Sequence, residues 1–170
     1  MIDQPYEGAT PEQLQHPMVR ELLTVHDMFR NELAAMLSFV EDLIAGQQQP
    51  TESETTDRIY ATRIRHLIQV GVQYNQMLHH HHHLESVMLF PALRDEAPEI
   101  DPVIVRLEAE HDEIAVLIDK FDESTRDLAA IKPSTLNTDL LRLAEALRSH
   151  LAYEETHVCP LLARFTRWPV

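Results

Sequence analysis

The chain has 170 residues, of which 44% are hydrophobic, so it can bury the core of one domain and is too apolar for a disordered segment. A net charge of −14 repels phosphate backbones and argues against nucleic acid as a partner, while a single cysteine excludes a disulfide framework, a Cys-based zinc site and an iron–sulfur cluster. Three glycines argue against a turn-rich β fold and Gly-rich phosphate loops, and the absence of a long apolar run or a signal-peptide pattern gives the expectation of a soluble, cytoplasmic protein with no membrane partner.

Apolar positions first recur at helical spacing from Pro17 through Val19, Leu22, Phe29, Leu33, Leu37, Val40 and Ile44, ending at Gly46. The polar stretch from Gln47 to Thr56, with Pro50, reads as a loop. A second helix, over about 56–93, carries Leu67, Val70, Tyr74, Leu78, His81, Glu85 and Met88 on one stripe, with a break from Arg94 to Glu99. Asp101-Pro102 reads as a cap and first-turn proline opening a third helix, about 102–128, with Ile104, Leu107, Ile114, Ile118 and Phe121 in register. Lys132-Pro133-Ser134 is the next break, and a fourth helix over about 135–165 aligns Leu140, Leu143, Leu147, His150, Glu154 and Leu161. Four amphipathic helices with no competing strand predict an all-α, up-down four-helix bundle, a single domain spanning residues 1–170.

The chain also repeats itself. Pro17 precedes His26-Asp27 by nine residues, as Pro102 precedes His111-Asp112. His81-x-x-x-Glu85 is followed six residues later by Pro91, and His150-x-x-x-Glu154 six residues later by Pro160. Each half thus supplies one lone His and one His-x-x-x-Glu pair, whose members share a helix face because four residues advance the azimuth by only about 40°. In every helix that face is the apolar one. Four imidazoles and two carboxylates buried there without partners would be costly, and metal ions resolve the conflict, so His26, His81, Glu85, His111, His150 and Glu154 are the expected ligands of a dinuclear site in the core.

These segments resemble the hemerythrin-like family, the HHE cation-binding domains. The resemblance rests on His26, the run HHHHHLESVMLFPAL (His79 to Leu93), AEHDEI around His111 and HLAYEETHVCPLL (His150 to Leu162). It implies a four-helix bundle holding two iron ions joined by an oxo or hydroxo bridge and two carboxylates, with the four histidines as terminal ligands and Glu85 and Glu154 bridging. In the oxygen-carrying members the last carboxylate stands five residues after its His, a position taken here by Glu155; the internal repeat favours Glu154 and leaves Glu155 as a solvated neighbour. The carriers also have a further His where this chain has Ala115, which leaves about two open positions and puts simple oxygen carriage in doubt unless another side chain fills the gap.

His82, about 100° from His81 and one turn from Glu85, is the candidate for that extra ligand. Tyr74 and Tyr153 lie near the same stripe, where a phenolate ligand or a hydrogen bond to a ligand is the alternative to core packing. His79 and His83 read as solvated, His80 as a structural residue on the opposite flank, and Cys159 as pointing away from His150. Phe165 and Trp168 could fold back on the bundle or pack on a second chain, so the oligomeric state stays open. Imidazole and carboxylate ligands without thiolates suit iron, with manganese or zinc as alternatives. The expected pocket, lined by Leu22, Phe29, Leu78, Met88, Ile114, Ala115, Ile118 and Leu147, is narrow and apolar, which suits O2, H2O2 or NO. The expected function is therefore a non-haem di-iron protein that consumes peroxide in a catalase-like way or senses O2, NO or redox state, with a non-catalytic iron- or O2-binding module as the alternative.

Overall fold

A computed structural model describes residues 9–47, 54–126 and 131–168. Its order is α1 (Pro17–Gln47), α2 (Glu54–Leu84), a π-helical turn (Glu85–Leu89), α3 (Phe90–Glu96), a 3-10 turn (Pro98–Ile100), α4 (Asp101–Thr125) and α5 (Pro133–Leu162). α2, the π turn and α3 run on as one rod, so the molecule is a bundle of four rods, and no strand occurs among the described residues. Each rod packs on two neighbours, in the cyclic order α1, α2–α3, α4, α5.

Two apolar clusters fill the bundle, and their composition fixes its up-down topology. One contains Leu33 and Val40 of α1, Leu67 and Tyr74 of α2, Ile118 and Phe121 of α4, and Leu140 and Leu147 of α5. The other contains Val19 and Leu22 of α1, Phe90 and Leu93 of α3, Ile104 and Leu107 of α4, and Val158 and Leu162 of α5. The second cluster thus takes the starts of α1 and α4 and the ends of the α2–α3 rod and α5, which requires neighbouring rods to run antiparallel. In every rod the predicted His or His-x-x-x-Glu falls in the seam between the two clusters.

The boundaries differ from the sequence reading in physically readable ways. The polar loop overlaps the start of α2 at Glu54, and its middle lies outside the described residues, as does the stretch just beyond the end of α4. Helical structure runs through Arg94 to Glu96 and stops at Ala97, whose extended φ of −145° ends it. Pro133 is the first residue of α5 and not a break before it, because proline lacks only a donor that the first turn leaves unused. Asp101 caps nothing; it accepts a hydrogen bond from Arg94 Nε at 2.8 Å, while both Arg94 terminal nitrogens bind Glu108 at 3.0 and 3.1 Å, fastening α3 to α4.

The π turn is the largest departure from a regular helix. Phe90 N–H donates to the carbonyl of Glu85, five residues back, instead of four. Pro91 follows at once, and a proline there can neither donate to the carbonyl four residues back nor pack its ring against it. The extra residue rotates everything beyond Glu85. Leu89 and Phe90 enter the core, whereas Met88, expected on the core stripe, is only half-buried. No helix among the described residues is long and apolar enough to cross a membrane.

Candidate metal centre

The seam between the clusters holds two groups of closely spaced donor atoms. His26, His81, Glu85 and Glu154 form one, and His82, Glu85, His111 and His150 form the other, with the donor atoms of each group within 4.8 Å of one another. All six residues singled out by the repeat are brought together, His82 joins them, and Glu85 belongs to both groups. His26, His150 and Glu154 are fully buried, and Glu85, His82 and His111 nearly so.

The donor atoms lie close to one another. His81 Nε2 lies 3.0 Å from Glu85 Oε1, His111 Nε2 3.4 Å from Glu85 Oε2, His26 Nε2 3.4 Å from Glu154 Oε2, and His150 Nε2 3.8 Å from the same oxygen. Nevertheless, the Nε2 atoms of all five histidines and both oxygens of Glu85 and Glu154 lack a hydrogen-bond partner. Buried polar atoms are almost always paired, so this concentration of unpaired donors marks a place where a cation could be held. The residues present fit the metal that the pattern implies: lone pairs from imidazole and carboxylate, no thiolate among them, and one carboxylate shared between the groups.

Opposite ring nitrogens hold three of these imidazoles in place. His26 Nδ1–H donates to Glu155 Oε1 at 2.8 Å, and Glu155 accepts Arg30 Nη2 at 2.7 Å. His150 Nδ1–H donates to Glu110 Oε2 at 3.1 Å, and Glu110 accepts Arg106 Nε at 2.8 Å. Ser86 Oγ lies 3.3 Å from His111 Nδ1. An acceptor-only carboxylate on Nδ1 fixes the proton there and leaves Nε2 free to ligate, and it makes the imidazole a stronger donor to a metal. Ring packing fixes the others: His82 stacks on His111 at 4.0 Å between centroids, and Phe29 lies 5.2 Å from His81.

Charge in the cluster follows from burial and neighbours. Burial lowers the pKa of His82 to about 2 and of His150 to about 4, each reinforced by His111, so both stand as neutral imidazoles. Burial acts against protonated His26 too, but Glu154, Glu155 and Glu85 outweigh it and raise its pKa to about 10. Burial and the Glu85 charge push the Glu154 carboxyl well above the usual range, whereas His81, His111 and His26 hold Glu85 well below it despite burial. A cation bound there would have to displace the protons that His26 and Glu154 favour.

The remaining candidates lie outside the centre. Glu155, expected in solvent, is buried and braces His26. Tyr74 is a core residue whose hydroxyl donates to the Phe29 carbonyl at 3.3 Å. Tyr153 is half-buried, with the Arg106 guanidinium 3.6 Å from its ring centre and His157 against it. His79 and His83 are exposed, and so is His80, which was expected to be structural. Cys159 is buried, and burial with Glu154 and Glu155 pushes its thiol up to about 12, so it is no thiolate ligand. Of the residues expected to wall the pocket, only Leu22 and Met88 line the groove that reaches His81 and Glu85; Phe29, Leu78, Ile114, Ile118 and Leu147 are packed in the first apolar cluster. Glu110, Ser86, Arg30 and Arg106 were not foreseen. The repeat does place Ser86 and Glu155 in matching positions after the two Glu residues, but only the fold shows that each pairs with the lone His of the opposite half.

Residues 17–162 match the hemerythrin HHE cation binding domain, and the chain belongs to that family. Neither a curated protein nor a solved structure matches the chain.

Proposed function

We propose that this chain is a non-haem di-iron protein that binds small oxygen-derived ligands and consumes hydrogen peroxide. The observation that carries the reading is the set of orphaned donor atoms, divided into two groups that share Glu85. One four-coordinate zinc would need only one such group, whereas two ions use both. His26, His81, Glu85 and Glu154 would hold one iron; His82, Glu85, His111 and His150 would hold the other, with Glu154 reaching toward both through His26 and His150. When bound, the pair of irons supplies two-electron redox chemistry and an open position for a small ligand.

The protein's own residues do the rest. Glu155 and Glu110 hold His26 and His150 in ligating orientation, and the Arg30 and Arg106 guanidiniums hold those carboxylates in place. Leu22, Val25, Met88 and Leu89 wall the groove beside His81 and Glu85 with apolar surface, which favours O2, H2O2 and NO over larger polar substrates.

A non-catalytic O2- or iron-binding module is the second reading, favoured by one observation. His82 supplies a fifth imidazole, which reduces the open positions from about two to about one and restores the ligand count of the oxygen carriers. The test is peroxide addition to the iron-loaded chain with an oxygen electrode. Sustained O2 evolution, lost in Glu85→Ala, supports peroxide consumption; a reversible spectral change under O2 without turnover replaces it with the binding module.

A further inference from the structure

The groove of about 410 Å³ that reaches His81 and Glu85 has a built rim. After α5 ends at Leu162 the chain folds back over the second apolar cluster, where Phe165 and Trp168 pack. Trp168 then lines the groove, and its indole Nε1–H donates to Glu21 Oε2 at 2.8 Å. Glu21 stands on α1, and the opposite wall is His81, Leu84 and Met88 of the α2–α3 rod. A large, flat side chain is thus tied by one exposed hydrogen bond across the route from solvent to the His81 end of the centre.

We infer that Trp168, latched to Glu21, is the selectivity residue that controls which small molecules reach the centre. This rests on the di-iron reading for its purpose, though not for its geometry. The latch suits a gate because Trp168 is only partly buried on the second cluster and its one hydrogen bond is exposed, while the indole's bulk narrows the groove when it is closed. The tie joins residues 147 apart in the chain, and it holds the terminal segment against α1.

The test uses the full chain in four variants. Glu21→Ala and Trp168→Phe each remove the hydrogen bond, Trp168→Ala removes the bulk as well, and Glu21→Gln keeps an acceptor. Two readouts separate the gate from the iron. On the metal-free chain, diethylpyrocarbonate modification of His81 is followed by tandem mass spectrometry, with exposed His79, His80 and His83 as internal references. On the iron-loaded chain, azide association is followed by stopped-flow absorbance.

The expected result is that Glu21→Ala and Trp168→Phe speed both processes about threefold, Trp168→Ala speeds them about tenfold, and Glu21→Gln leaves them near the parent's rates. Unchanged His81 modification in Trp168→Ala and Glu21→Ala overturns the gate. If His81 modification responds and azide produces no signal in any variant, the gate stands and the di-iron reading fails. If His81 modification responds while azide association keeps one rate in every variant, Trp168 covers His81 without controlling access to the iron, and the proposal is overturned.

Discussion

Glu85 is the residue on which the centre turns, because its two oxygens face different imidazoles: Oε1 lies 3.0 Å from His81 Nε2 and Oε2 3.4 Å from His111 Nε2. Removing it takes a donor from both groups at once, so on the di-iron reading Glu85→Ala is expected to lose both ions. His82→Ala takes a donor from one group only and is expected to retain about one firmly held ion; metal analysis after dialysis distinguishes the two. Glu155→Gln keeps the shape of the brace on His26 but removes its charge. Loss of such an outer carboxylate typically weakens metal binding about 10- to 100-fold, and competition against a chelator should show that drop with the stoichiometry unchanged. The six residues of the repeat were legible because their spacing puts each on an apolar stripe. Glu155 was misread because spacing gives a face and not a partner: its partners His26 and Arg30 come from α1, 129 and 125 residues away. The repeat also contains an asymmetry in the donor set, since His82 corresponds to Leu151, a fully buried core residue.

At the scale of the elements, the π turn decides which residues of the second rod are core. The helical stripe through Tyr74, Leu78 and His81 was read correctly, but extending it past Glu85 put Met88 inward, where the extra residue of the turn puts Leu89 and Phe90. Pro91 was the available signal, because a proline at an interior position rules out an ordinary α-helical hydrogen bond there. Leu89→Ala is therefore expected to destabilise the protein by about 2–4 kcal/mol in denaturant titrations, and Met88→Ala by less than about 1 kcal/mol. A regular helix would reverse that order. Gly71 sets a second constraint on packing, between α2 and α4. A Cβ there would lie 2.5 Å from Phe121 Cε1, so the fully buried ring would have to shift. Gly71→Ala should lower stability by about 1–3 kcal/mol, although alanine is the better helix former, with unfolding midpoints as the check.

For the molecule as a whole, the centre is a buried polar layer between two apolar clusters, and burying such groups without partners is costly. His82 illustrates the effect. Burial and His111 lower its pKa from the ordinary 6.5 to about 2. The unfolded chain therefore binds a proton at His82 below pH 6.5 that the folded chain does not, and stability falls as the pH drops through that range. His82→Leu installs the residue that the other half carries at Leu151. In the metal-free state it should be more stable than the parent, and below pH 6.5 the gap should widen by up to about 1.4 kcal/mol per pH unit. Added iron is expected to reverse the ranking, because the variant lacks one donor of the second group and would gain less from binding. Melting curves across pH, with and without iron, check both halves of this expectation. The bundle itself was fully legible, since amphipathic periodicity needs only local spacing; the braces from Glu110, Arg30 and Arg106 were not, because they join different rods.

The most direct test is the metal content of the full chain expressed with supplementary iron and purified without a nickel column, since exposed His79, His80 and His83 would capture nickel. Elemental analysis should find about two irons per chain in the parent and almost none in Glu85→Ala. One tightly held zinc per chain, or no retained metal, would contradict the dinuclear centre and leave only the bundle.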